Sequence, residues 1–365
     1  MSTRPDPSGR PDPRRRPDPR GRPDLRRSRA AGLLLGFAVD RVLGDPRRWH
    51  PVAGFGRLAS SSERVLHADA RAPGVVYTAL LVGGTAGLGV AVERATRGRP
   101  LLHAGATALA TWTVLGGRTL EREALAVHAL LDAGDLPAAR ERLTHLVGRD
   151  PTGLDAGEVA RAVVESVAEN TSDAVTAPLV WGAVGGVPAL LAHRAANTLD
   201  AMVGHRNERY ERFGWASARL DDVLGLPGSR LGALCVLVAA PAGARDAWEA
   251  WRRDARAHPS PNAGVVEASF AGSLGVTLGG TNRYGDRVEA RPTMGEGRPV
   301  HSADVPRATA LARRAGWVAV LAAAGLSRRW SSAPGRPGPS ARTPRRRRTT
   351  PRRHRGGPRP RRPRR

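Results

Sequence analysis

The 365-residue chain contains no lysine; all 58 of its basic residues are arginine. That absence excludes a Walker-type phosphate loop, a Schiff-base lysine and a lysine nucleophile. Cysteine is almost missing as well. The single Cys235, in the apolar run LGALCVLVAA, permits neither an intrachain disulfide nor a thiolate metal cluster, and reads as a packed small hydrophobe. The ten histidines are scattered without metal-ligand spacing, and no helix-turn-helix, zinc or RNA-binding signature occurs. Acids are few beside bases, 33 against 58, for a formal charge of +25. Such a charge invites a nucleic-acid reading, but its distribution argues against a specific one. Residues 1–30 hold ten Arg against four Asp, and residues 327–365 hold sixteen Arg and no acid, so the body between them is nearly neutral.

What is there divides into three parts. Residues 1–29 repeat an Arg-Pro-Asp-Pro theme without a hydrophobic period, and residues 327–365 are an Arg/Pro tract; both are expected to be disordered tails. An arginine-rich tail suits an anionic lipid surface and favours the cytoplasmic side. The mean hydropathy is negative, yet uncharged Ala/Gly/Val/Leu runs recur throughout residues 30–326. The expected fold is therefore mostly α: a polytopic α-helical integral membrane protein, multi-pass in the cell membrane, with polar helical and Gly-rich loop insertions.

Residues 30–39 follow a basic stretch but lack a small-residue cleavage site before Asp40, which predicts a retained short membrane or re-entrant segment. Residues 72–92 and 100–117, joined by ERATRGR, predict a transmembrane hairpin. The uncharged run 174–192 carries Pro178, Pro188, Gly182, Gly185 and Gly186, which predicts a broken or tightly packed helix. Residues 230–244 read as an apolar segment shorter than a span, and 315–327 as a final apolar run. Trp248 and Trp251 with Arg252 and Arg253 resemble an interfacial helix. Three polar helices are predicted at 119–134, 135–148 and 154–170, with Gly134 and Gly148 at helix ends and an acidic capping box from Asp155 and Glu158.

The stretch from Glu165 to Asp222 surrounds the 174–192 run with charged and amide groups, which cost several kcal/mol each if left unpaired beside lipid. Arg161, Glu165 and Glu169 share one helix face by i, i+4 spacing, pointing toward the segment that begins at Asn170 and Asp173. Arg194, Asn197 and Asp200 share another. Asp221 and Asp222, beside Arg219, either hold Mg²⁺ bridging phosphate oxygens or form a helix N-cap with a neighbouring acid. Residues 40–58 are expected to form a loop, because Gly44, Pro46, Pro51, Gly54 and Gly56 break regular structure; its Asp40, Asp45, Arg47, Arg48, His50 and Arg57 suit a phosphate through the guanidinium forks or a metal through the carboxylates. Residues 260–299, opening SPNAG, are expected to form a Gly-rich loop able to wrap a large ligand.

Four motifs, GDPRRWHPV, ESVAENTSDAVTAPLVW, HRAANTLDAMVGHRNERYERFGWASARLDD and SPNAGVVEASFAGSLGVTLGG with its trailing YGDR and RP, resemble those of the adenosylcobinamide-phosphate synthase family of cobalamin biosynthesis, in the family's order and across residues 30–326. The resemblance does not extend to the tails. It implies an ATP-dependent condensation of aminopropanol phosphate, or a related amino-alcohol, with a propionate side chain of the corrinoid adenosylcobyric acid. Mg²⁺ is expected as cofactor, the lipid bilayer as environment, and other cobalamin-biosynthesis proteins as partners. On that basis Glu165, Glu169, Asp173, Asp200, Asp221 and Asp222 are candidates for Mg²⁺ binding or for the base that deprotonates the amine, with Asp221 and Asp222 the metal pair. Arg194, Arg206, Arg209 and Arg219 are candidates to hold phosphates, and Asn170, Asn197, Asn207 and Asn262 to hydrogen-bond the corrinoid amides or the carboxylate. The rival class is a non-enzymatic membrane transporter or scaffold whose intramembrane polar groups line a path.

Overall fold

The computed structural model describes residues 25–45, 50–148, 150–284 and 287–330. The expected tails at 1–24 and 331–365, and Arg47 and Arg48, lie outside the described residues. Helices reach into both tail boundaries: α1 spans Leu25–Leu43 and α12 spans Asp304–Trp330. Ser28 bonds His103 at 2.9 Å and Ser327 is buried, so residues 25–29 and 327–330 belong to the packed body.

Twelve helices surround one small sheet among the described residues. The 40–58 segment is not a loop throughout. Its second half is α2, Pro51–Leu66, whose first turn is set by Pro51 and whose N-cap is His50, accepting from Val52 N at 3.1 Å. Proline is tolerated there because its missing N–H would have had no helical partner.

Three helical stretches are long and apolar enough to cross a membrane: α3, Arg71–Thr96; the continuous stretch Ala156–Val203; and α9, Trp215–Ala239. The expected second arm of the 72–117 hairpin is α4, Pro100–Val114, only 15 residues long. The segment expected to be too short, 230–244, is instead the end of α9, because Arg219, Asp221 and Asp222 lie within that helix and do not interrupt it.

Polar helices α5, Gly117–Asp132, and α7, Ala156–Thr171, follow the sequence expectation closely, whereas α6, Leu136–Leu143, stops short of it. Asp155 and Glu158 form the reciprocal capping box, and Gly134 ends α5 with a left-handed φ of 76°. Gly148 lies beyond the end of α6. From α7 the chain passes through one π-helical turn, Ser172–Thr176, into α8, Ala177–Val203.

Helix α8 is a hairpin. Gly186 adopts φ 67° and ψ −156° inside it, and Pro188 follows. Asp173, just before the first arm, lies within electrostatic reach of Asp200 in the second; a straight helix would hold them about 40 Å apart. Gly182 in one arm packs on Leu190 in the other, where an added Cβ would sit 3.3 Å from Cδ1. The reversal frees backbone groups, since Pro188 has no N–H for the Val184 carbonyl and Val187 N–H is turned outward. Glu93 of α3 accepts from Val187 N at 3.2 Å, and Arg29 of α1 approaches the Ala183 and Val184 carbonyls at 3.5 Å. Arg29 and Glu93 pair with each other at 3.1 Å.

After α10, Ala244–Asp254, comes α11, Ala263–Leu274, buried along nearly its whole length. The expected Gly-rich loop is thus a core helix followed by strands β1, Val276–Tyr284, β2, Arg287–Met294, and β3, Arg298–Pro299, in the order β2-β1-β3. The run VVEASFA supplies apolar side chains around the whole helix, and Gly275 in the left-handed region (φ 67°) closes it. In α10, Trp248 and Trp251 meet edge to face at 5.2 Å, with Arg252 over the exposed Trp248 ring.

Candidate active site at the mouth of the α8 hairpin

The open end of the hairpin gathers residues far apart in sequence. Glu169 comes from the last turn of α7, Asp173 from the π turn, Arg194, Asn197 and Asp200 from the second arm of α8, and Asp221 and Asp222 from α9. The π turn matters for Asp173. Thr176 Oγ1 ties the wide turn to the carbonyls of Thr171 (3.1 Å), Ser172 (3.2 Å) and Gly228 on α9 (3.2 Å), and so fixes where Asp173 faces.

Asp173 lies within electrostatic reach of Asp221, Glu169 and Asp200. Asp221 lies within electrostatic reach of Asp200, Asp222 and Glu169. Arg194 is the cation among them, facing Asp45, Asp173 and Asp221. Its Nη1 donates to Asn197 Oδ1 at 3.4 Å, while its buried Nε makes no hydrogen bond. Like charges this close need a cation between them or a proton shared among them.

Asp45 and His50, at the two ends of the GDPRRWHPV motif, complete one wall. His50 Nε2 is 4.0 Å from Asp45 Oδ2. Because Nδ1 accepts from Val52 N, a neutral His50 carries its proton on Nε2, toward Asp45. Burial holds this imidazole below its ordinary range, with Asp45 pulling it up and Arg194 pushing it down. These two residues were legible as polar members of a motif, but only the fold brings them to Arg194.

The other expected residues divide. Asn262, buried, reaches α9 from the start of α11. It donates to the Asp222 carbonyl at 2.8 Å and accepts from Ser229 (3.1 Å) and Arg230 (3.0 Å), so it braces the helix that carries Asp221. Arg219 lies at the rim, exposed, 3.3 Å from Asp222. Asn170 folds its amide back onto Ser166 O at 3.0 Å. Glu165 points elsewhere: it accepts from Gly279 N at 2.9 Å and lines a separate cavity with Glu169, Glu267 and Arg291, so only Glu169 of that helix face adjoins the mouth. Arg206, Asn207 and Arg209 lie on the exposed 204–214 loop, where Asn207 caps Tyr210 N at 2.9 Å and Arg209 pairs with Glu63 at 2.8 Å. The N-cap alternative for Asp221 and Asp222 does not hold, since both sit inside α9.

Hard carboxylate oxygens are the donor set that Mg²⁺ takes, usually one or two from protein with substrate oxygens supplying the rest. Among the described residues no three His, Cys, Asp or Glu side chains already converge on one metal position. Of the expected Mg²⁺ pair, Asp221 lies among the acids of the mouth, whereas Asp222 pairs with Arg219 at 3.3 Å near the rim.

The architecture is that of a mostly-α polytopic membrane protein with a cluster of acids where a helical hairpin opens. The particular family follows from comparison: residues 33–312 match the CobD/Cbib protein family, and the chain belongs to it. Similar proteins include the cobalamin biosynthesis protein CobD of Mycobacterium tuberculosis, 50% identical over 79% of this chain and 92% of its own length. The proteins of the same name from Geobacter metallireducens (48% identical; 73% of this chain, 86% of theirs) and Chromobacterium violaceum (43%; 78% and 93%) are also similar. No solved structure matches the chain.

Proposed function

We propose that this protein acts in cobalamin biosynthesis as a multi-pass membrane enzyme. It joins aminopropanol phosphate, or a closely related amino-alcohol phosphate, to a propionate side chain of adenosylcobyric acid, with ATP as co-substrate. The observation that carries the reading is the mouth itself: Glu169, Asp173, Asp200 and Asp221 within electrostatic reach of one another, around Arg194.

The propionate oxygen attacks the γ-phosphorus of ATP, giving an acyl phosphate and ADP. The amine then attacks the acyl carbon, the C–O bond to phosphate breaks, and inorganic phosphate leaves as the amide forms. Mg²⁺, when bound, neutralises phosphate charge. The chain's own carboxylates attract the substrate's ammonium group, and one of them, Asp173 or Asp221, accepts the proton the amine loses. Arg194, held by Asn197, faces the phosphoryl oxygens. Apolar walls from the hairpin arms limit water, which would otherwise hydrolyse the acyl phosphate.

The test is a mass-spectrometric assay of membranes holding this protein, supplied with adenosylcobyric acid, ATP, Mg²⁺ and aminopropanol phosphate. The amide product is expected from wild type and not from Asp221→Asn. Correctly inserted wild-type protein that makes no product, but moves corrinoid across sealed vesicles, would replace this reading with a transporter.

A further inference from the structure

Beside the mouth runs a second, open groove of about 710 Å³ whose walls are basic. One wall is a stripe of α2. Arg57, Ser60 and Arg64 recur at i, i+3 and i+7, so they share one helix face. The other wall is formed by Met202, near the end of α8, and by Arg209 and Tyr210 of the 204–214 loop. Glu63, on the buried side of α2, clamps that loop. It accepts from Arg209 Nη2 at 2.8 Å and Tyr210 OH at 2.9 Å, so Arg209 is held in place as a groove wall. Glu63 is thereby occupied. Among the described residues neither Arg57 nor Arg64 has a carboxylate partner; Arg64 meets only the Ser61 hydroxyl, at 3.1 Å. Three guanidinium groups thus face one concave space with one carboxylate among them, and that carboxylate is turned inward. Planar guanidinium forks beside a hydroxyl donor match phosphate oxygens.

Along the chain, both walls of the groove lead to the mouth. His50, which faces Arg194, caps the same α2. Met202, two residues beyond Asp200, has its sulfur 4.0 Å from where a Cβ on Gly56 would sit. We infer that this groove binds the phosphate group of a soluble phosphorylated substrate, the amino-alcohol phosphate or the nucleotide, and presents the rest of that molecule to the acids at the mouth. The inference rests on the reaction proposed above. Arg57 and Arg64 act as substrate-binding residues, and Arg209, already paired with Glu63, completes the cradle.

The experiment uses full-length protein in neutral detergent and compares wild type with Arg57→Ala/Arg64→Ala. Arg212→Ala serves as control, because Arg212 is exposed in the same loop, pairs with Asp69 at 3.6 Å, and lies outside the groove. Equilibrium dialysis with labelled ATP and with labelled aminopropanol phosphate is expected to show a loss of affinity of about tenfold or more for one of them in the double variant, since a charge-assisted contact is lost at each site. The KM for that substrate should rise in parallel, with kcat changed less than KM. Equal binding of both phosphates by variant and wild type would overturn the inference. So would a variant whose only defect is weaker retention of phosphatidylglycerol in native mass spectrometry, which would make the groove a lipid-headgroup site. If wild type forms no amide, yet its phosphate binding is lost in the double variant, the groove stands and the reaction falls; if product forms and the variant behaves as wild type, the reverse holds.

Discussion

At the closed end of the α8 hairpin, Glu93 and Arg29 neutralise each other and take up the backbone groups that Gly186 and Pro188 release. At the open end, Glu169, Asp173, Asp200, Asp221 and Asp222 gather around Arg194, whose buried Nε has no hydrogen-bond partner. Both ends place ionisable groups beside apolar helices. At the closed end the carboxylate, the guanidinium charge and the freed backbone groups are met from within the chain; Arg29 Nε, like Arg194 Nε, is buried without a hydrogen-bond partner, so it is the balance of charge that marks this end as structural. At the open end Asp173, Asp200 and Asp221 act on one another, with Arg194 the buried cation that faces Asp173 and Asp221; an excess of acid there suits a ligand, a metal ion or a shared proton, and that is the mark of a site. The same test separates the mouth from Asp304. Burial alone would raise that carboxyl, but Arg298, the His301 N–H and Arg307 bring it down to about 2. Asp304 locks β3 to α12 and leaves no charge unmet.

The largest effect is expected at the open end. Asp221→Asn, and Asp173→Asn likewise, should lower product formation by about 10²–10⁴-fold, the range for a general base, while thermal stability in detergent holds or rises as repulsion is relieved. A fall in stability parallel to the fall in activity would make the two ends alike. At the closed end the sign reverses. Glu93→Ala strands the Arg29 charge and the Val187 N–H and should cost about 3–5 kcal/mol of stability, read as a lowered melting temperature; Arg29→Met/Glu93→Leu should recover much of it. Gly186→Ala combines a left-handed φ with a clash against Glu93 Oε1, and is expected to cost about 1–3 kcal/mol by the same assay. For Asp304, the folded pKa of about 2 lies below the unfolded 3.8. Its contribution is thus complete above the unfolded value and is lost as pH falls through about 2. Asp304→Asn should flatten the acid limb of a stability-against-pH curve. The smallest perturbation probes the hairpin itself. Because Cys235 is buried, thiol-specific labels should report introduced cysteines, and Gly153→Cys and His205→Cys should both label from one side of sealed vesicles. Labelling from opposite sides would mean that the Ala156–Val203 stretch crosses once.

Local features of the fold are legible in the sequence. The capping box at Asp155 and Glu158 works through neighbours three residues apart, and Gly134 ends its helix through its own φ, so both were legible. Arg194, Asn197 and Asp200 share a helix face by spacing alone. Errors arose where the environment, not the local pattern, decides. Pro51 and Gly54 looked like breakers, yet Pro51 sits where a helix accepts proline. Glycine spacing after Ser260 looked like a loop, but α11 is buried all round, where small residues permit close packing. Glu165 and Glu169 lie four residues apart on α7 and line one cavity, yet Glu165 accepts from the Gly279 amide while Glu169 also reaches Asp173, a difference that depends on where β1 lies.

The amino-acid order by itself determined which segments are apolar enough for lipid, where the polar helices begin, which chemistries are impossible without lysine or a second cysteine, and which four motifs carry the family likeness. Tertiary structure alone decided that the chain reverses at Gly186, that Asp45 and His50 meet Arg194, and that Arg57 and Arg64 share a groove with Arg209. The reason is physical. Propensities and caps act over a few residues, whereas a reversal inside an apolar helix persists only if distant side chains, here Arg29 and Glu93, satisfy the backbone groups it exposes.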